Sequence, residues 1–170
     1  MLDPTMITPE WWIISDTHWG HDNIVGYCNR PSNHDRLMMD NWKRLVKPGD
    51  NILHLGDVML GSSAEWMIKR LTGNKFYIKG NHDHKTQILK LLGFERVMPF
   101  EALGIAFSHK PIPGDKLGAK VNIHGHIHEG ILGAGWDHPR YINVSVEQLD
   151  YTPVKLGALI EEFKGRGYDL

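Results

Sequence analysis

Three imidazoles fall within five residues in His124-Gly125-His126-Ile127-His128, directly after the short apolar run Val121-Asn122-Ile123. Rings this close repel one another when protonated, and a divalent metal, which binds neutral imidazole, is the usual reason for collecting them. Side chains of the same chemistry recur upstream, each time just past a short apolar stretch: Asp16-Thr17-His18, Gly56-Asp57, Gly80-Asn81-His82-Asp83 and His109. Carboxylate, carboxamide and imidazole groups are hard or borderline ligands for divalent cations. Singly, each has an ordinary reading. Gly-Asp is a common turn dipeptide, Asn81 suits a left-handed turn and Asp83 could cap a following helix. Independent turns do not explain five successive runs that all end in such groups.

The elements that must carry these groups are legible in the hydrophobic pattern. Runs at 11–15, 51–55, 76–79, 104–108, 121–124 and 141–144 read as short strands that give way to Gly, Asp, Asn or His where they emerge into loops. Between them, Ser32 with Asp35 resembles a capping box opening a helix whose Leu37, Trp42, Leu45 and Val46 share a face, stopping before Pro48-Gly49. Ser62 with Glu65 does the same for 64–71, and Ile88, Leu89, Leu91 and Leu92 mark a helix over 86–92 that ends at Gly93. Leu156, Leu159, Ile160 and Phe163 predict a last helix. Strands alternate with helices in the first half and crowd together in the second, which predicts a layered α/β protein with its functional loops at the carboxyl ends of the strands.

The order Asp16-x-His18, Gly56-Asp57, Gly80-Asn81-His82-Asp83, His109, Gly125-His126-x-His128 resembles the five-motif signature of the calcineurin-like metallophosphoesterases. The opening Ile14-Ser15-Asp16-Thr17-His18-Trp19-Gly20-His21 is similar to the small, uncapped bacterial and phage-type members. The resemblance implies an α/β/β/α sandwich of two mixed sheets built on βαβαβ units, forming a single domain over residues 1–170. It implies two divalent cations, one held by Asp16, His18 and His128, the other by Asn81, His109 and His126, with the Asp57 carboxylate bridging them. It also implies direct attack on phosphorus by a hydroxide bridging the metals, with His82 assisting the leaving group and Asp83 orienting the His82 ring. The mixed ligand set favours Mn²⁺, with Fe, Zn, Ni or Co as alternatives. On this reading His126 and His128 serve different metals, diverging across a turn that Gly125 permits, and His124 ends the strand.

Weaker candidates surround this set. His21 could face substrate and Arg30 could clamp a phosphate oxygen, each against an ordinary surface role, while Trp19 and Asn23 could line the pocket mouth. His54, inside a strand, reads as a satisfied buried histidine, and Trp42 and Trp66 as core. His34, His84 and His138 carry no argument, and Cys28 reads as a bystander because this chemistry needs no protein nucleophile.

Composition narrows the partners. The chain has 170 residues, a net charge of −1 and no basic stripe, which argues against a nucleic-acid surface. One cysteine fits a reducing compartment, no apolar run approaches the roughly 20 residues that cross a bilayer, and the acidic, proline-containing start is unlike a signal peptide. A cytoplasmic enzyme acting on a small phosphoester, monomeric or homodimeric, is the expectation; small uncapped members imply diesters over monoesters. The competing class is a binding module that keeps the fold without catalysis, which typically loses a ligand or the His of the Asn-His-Asp motif; all stand in this chain. A repair-type nuclease would want a basic groove, and a metallo-β-lactamase-type site would need a His-x-His-x-Asp-His run, where Glu129-Gly130 follow His128.

Overall fold

A five-stranded and a four-stranded sheet frame the protein in a computed structural model that describes residues 3–130, 132 and 139–170. In chain order, a 3-10 turn (Pro4–Met6) precedes β1 (Trp12–Ile14), α1 (Ile24–Tyr27), α2 (His34–Leu45), β2 (Asn51–His54) and α3 (Glu65–Ile68). Then come β3 (Asn74–Ile78), α4 (Thr86–Leu91), β4 (Phe94–Val97), β5 (Phe100–Ala102), β6 (Ile105–Phe107), β7 (Val121–His124) and β8 (Tyr141–Asn143). A second 3-10 turn (Val146–Leu149), β9 (Val154–Lys155) and α5 (Leu156–Gly165) complete the order. Most of the Gly-rich stretch 130–135 lies outside the described residues, as does His138.

The first sheet runs β4-β3-β2-β1-β9, parallel except for the antiparallel edge β9. The second runs β5-β6-β7-β8, parallel except for the antiparallel edge β5. Their inner faces meet through Ile13, Leu53, Leu55, Ile78, Ile105, Phe107, Val121, Ile123 and Val144, and α5 closes the same core with Leu156, Leu159, Ile160 and Phe163. The outer face of the first sheet packs Ile14, Ile52 and Tyr77 under α2, α3 and α4, while Leu117 and Ala119 cover Ala106 and Tyr141 on the second sheet. The fold is therefore the expected α/β arrangement of two mixed sheets. Among the described residues no helix is long and apolar enough to cross a membrane.

Several local expectations shift. The buried stripe of α2 is His34, Met38, Met39 and Trp42, continuing to Val46, while Leu37 and Leu45 are only partly covered. Neither expected capping box forms, because the caps are Asn33 and Ala64, without side-chain cap bonds. Asp35 instead accepts the Gly20 N–H at 3.0 Å, tying α2 to the loop after β1. Trp66 is 46% exposed and lies under the Arg70 guanidinium, so it is not core; Trp19 is fully buried in the α-side core, so it does not line a mouth. The strands that the pattern missed, β4, β5 and β9, are sheet edges with few buried side chains, so they lack the apolar runs that marked the others.

Trp42 fills the α-side core and donates its indole N–H to the Thr72 carbonyl at 2.9 Å. Trp42→Ala is expected to cost about 3–5 kcal/mol of stability, read as a lowered midpoint in urea unfolding with an unchanged slope.

Candidate metal centre

The loops leaving β1, β2, β3, β6 and β7 open at one end of the two sheets, where β1 and β8 touch through a parallel bridge between Ser15 and Ser145. Parallel strands deliver their carboxyl ends to the same side, so Asp16, Asp57, Asn81, His109 and His126 meet although they are far apart in the chain. Two ligand-like groups result, Asp16 with His18 and His128, and Asp57 with His109 and His126, each with candidate atoms within 4.8 Å of one another. Asp57 stands between them, its Oδ2 lying 3.6 Å from His18 Nε2 and 3.4 Å from His109 Nε2. Asn81 joins the second group, with its Oδ1 at 2.8 Å from His109 Nε2.

The backbone reaches this arrangement under strain. Asp16, His18, Asp57, His126 and His128 all have φ between +49° and +73°, a region non-glycine residues rarely occupy. Close approach also excludes side chains at two glycines. A Cβ on Gly80 would stand 2.1 Å from Asp57 Oδ1, and one on Gly125 would stand 2.1 Å from Asp16 Oδ2. Gly125 is thus required by the carboxylate pressed against it, and the left-handed turns lie at His126 and His128 themselves.

Carboxylates hold the loops together. Asp83, fully buried, accepts N–H groups from Asp57, Val58 and Gly80, each at 2.8 Å. This corrects its expected role, since both oxygens grip backbone and none is recorded on the His82 ring. Asp57 Oδ1 in turn accepts the His82 N–H at 2.8 Å, and Asp16 Oδ2 accepts the His126 N–H at 2.8 Å and the Ser145 hydroxyl at 2.9 Å.

The remaining atoms fit a cation. Asp16 Oδ1 and both ring nitrogens of His18 are buried without a hydrogen-bond partner. A carbonyl can only accept, so His109 donates Nδ1–H to Leu55 O at 2.9 Å and turns the Nε2 lone pair toward Asn81 Oδ1 and Asp57 Oδ2. Acceptors facing one another with no donor between them are what a metal satisfies. Burial keeps His18 neutral, pushing its pKa down to about 3, and burial likewise raises the Asp16 carboxyl.

Among the weaker candidates, His21 lines a cavity of about 260 Å³ together with His18, His82 and His128. Arg30 is a correction. It is buried beneath the site, donating from Nη1 to Thr17 O, from Nη2 to Asp16 O and from Nε to Glu147 Oε1, so it shapes the first loop and does not reach a phosphate. Asn23 is exposed and outside the cavity lining. His124 is buried, its Nδ1 at 2.9 Å from Gly125 O. His54 is satisfied as expected: Nδ1 accepts the Gly56 N–H at 3.1 Å, so Nε2–H donates to Thr17 Oγ1 at 2.8 Å, whose hydroxyl reaches Val58 O.

Sequence reasoning missed the carboxyl end of β8. Glu147 accepts His128 Nδ1–H at 2.9 Å, which aims the other ring nitrogen at the site, and Asn143 Nδ2 and Gln148 Nε2 bind the His128 carbonyl at 2.7 and 3.0 Å. The signal was available: 141–144 reads as a strand, and polar Ser145 and Glu147 follow it.

The chain is similar to known proteins over most of its length. Residues 10–149 match the model of the calcineurin-like phosphoesterase superfamily domain. An uncharacterized protein of Methanocaldococcus jannaschii is 31% identical, with 88% of this chain and 89% of that protein covered. The gene 66 protein of Mycobacterium phage L5 is 26% identical over 80% of this chain and 86% of its own length. The crystal structure of a protein of unknown function from Aquifex aeolicus superposes with a TM-score of 0.75 at 27% identity, covering 89% of this chain and 97% of that one.

Two outcomes follow from the tethers. Glu147→Gln keeps an acceptor for His128 but loses the charge paired with Arg30, and is expected to weaken Mn²⁺ binding about tenfold by calorimetry. His54 is held neutral, its pKa depressed by burial from 6.5 to about 3. The unfolded chain therefore binds the proton first, so this contribution to stability is present above about pH 6.5 and is lost as the pH falls toward 3. Thermal melts of metal-free protein between pH 7 and 4 should show a falling midpoint that is shallower in His54→Gln.

Proposed function

From a chain that belongs to the calcineurin-like phosphoesterase superfamily, whose members are metal-dependent phosphoesterases, we propose a dinuclear phosphodiesterase acting on a small molecule. Asp16, His18 and His128 hold one cation and Asn81, His109 and His126 the other, with the Asp57 carboxylate between them. The observation that carries this reading is Asp57 Oδ2, set 3.6 Å from a ring nitrogen of the first group and 3.4 Å from one of the second. Bound cations supply positive charge against the phosphate oxygens and acidify a water into a nucleophile. Mn²⁺ suits a set that mixes carboxylate, carboxamide and imidazole.

The chain's own residues do the rest. His82 is exposed, lines the cavity beside His18 and His128, and has its backbone N–H pinned by Asp57 Oδ1, so its ring is positioned to protonate a leaving oxygen. Asp83 serves this step by fixing the loop that carries His82. A diester is favoured because, among the described residues, no Lys or Arg lines the cavity and the nearby Arg30 is committed beneath the site, so the second charge of a monoester would meet no guanidinium or ammonium group there.

With Mn²⁺ present, bis-p-nitrophenyl phosphate should be hydrolysed faster than p-nitrophenyl phosphate. Asp57→Asn and His82→Ala should each lower kcat about 100-fold or more. Full activity in both variants, or binding of a single Mn²⁺ equivalent per chain, overturns the dinuclear reading.

A further inference from the structure

The cavity beside the candidate metal centre is two-sided. One side is His18, His82 and His128, and the other is Ile24, Tyr27, Cys28 and Leu60, with His21 between. Its rings form a path from the site outward: His128 lies 5.1 Å from His18, His18 lies 6.1 Å from His21, and His21 lies 6.1 Å from Tyr27, measured between ring centroids. Tyr27 ends that path and is 75% exposed, in a protein that buries most of its large apolar side chains. The first half of the wall comes from α1, which the loop after β1 places against the site. Among the described residues, no carboxylate, Lys or Arg stands in the lining.

We propose that the wall formed by Ile24, Tyr27 and Leu60 is a subsite for one uncharged, planar ester group of the substrate, with Tyr27 as its specificity-determining residue. The inference rests on the phosphodiesterase reading and adds the kind of ester to it. A phosphate at the candidate metal centre leaves one substituent directed along the ring path, onto apolar and aromatic surface. A charged group, such as a second phosphate, would be desolvated there without a partner. A bare methyl would leave Tyr27 and Leu60 in water. A single ring covers both, by apolar contact and by offset or edge-on stacking on Tyr27. At about 260 Å³ the cavity is at the lower limit of ordinary ligand pockets, which run from about 300 to 1,000 Å³, so it takes one ring and not an extended chain. Aryl and nucleobase rings share this chemistry.

Calorimetric titration of the Mn²⁺-loaded protein tests it without relying on turnover. Phenylphosphonate is expected to bind about five- to tenfold more tightly than methylphosphonate. Tyr27→Ala, at a position exposed enough to leave folding intact, should bring the phenyl compound down to the methyl one and leave the methyl compound within twofold. Thymidine 5′-phosphate separates the two sources: a gain over methylphosphonate that is lost in Tyr27→Ala assigns a nucleoside, and no gain assigns a simple aryl group. Equal binding of phenyl- and methylphosphonate, or equal loss of both in Tyr27→Ala, overturns the subsite while leaving the phosphoesterase reading intact. Failure of the loaded protein to bind either phosphonate overturns the subsite, and where bis-p-nitrophenyl phosphate is not hydrolysed either, the phosphodiesterase reading falls with it.

Discussion

Asp83 has two carboxylate oxygens, and both are committed to backbone N–H groups at the ends of β2 and β3. The bond is made in a fully buried place, where losing an acceptor would leave three donors unpaired. Asp57 repeats the device toward His82, and Asp16 repeats it toward His126 and Ser145. Loops at strand ends are ordinarily the loosest part of an α/β sheet. Here carboxylates staple the loop after β2 to that after β3, and the loop after β1 to those after β7 and β8. Two of those carboxylates, Asp16 and Asp57, also present an oxygen to the candidate metal groups.

Such stapling makes the backbone strain intelligible. Five residues of the candidate set lie in the left-handed region, at a typical cost of about 1–3 kcal/mol each for non-glycine residues in such conformations. That persists only where surrounding structure over-determines the conformation. The carboxylate tethers, the His54–Thr17–Val58 chain and the Arg30–Glu147–His128 chain do so from below. The polar floor thus holds the side chains in place before any cation arrives, and a preorganised ligand set loses less entropy on binding.

The order of motifs was legible because each chemical group follows directly on a short strand, and parallel strands bring such ends together without any knowledge of their pairing. That rule gathers Asp16, His18, Asp57 and Asn81 at the end of one sheet and His109, His126 and His128 at the end of the other. Asp83 was legible as a member of the motif but not in what it does. Its sequence neighbour His82 suggested a ring to orient, whereas its oxygens face backbone groups about 25 residues away in the chain. Arg30 misled in the same way, since an arginine before a helix looks exposed until the fold buries it under Asp16 and Thr17.

By itself, therefore, the sequence determined which groups stand at the strand ends, the buried face of α5, and the burial of His54. These depend on residue type and on periodicity within one element. Tertiary structure alone decided which loop Asp83 staples, that Glu147 at the end of β8 steers His128, and that Gly125 is needed for space against Asp16. It also decided that α1 lends Ile24 and Tyr27 to the cavity wall. Each of these is a contact across more than one element, set by how two sheets meet at Ser15 and Ser145. Spacing along the chain cannot encode that meeting, because it follows from the packing of the whole inner core.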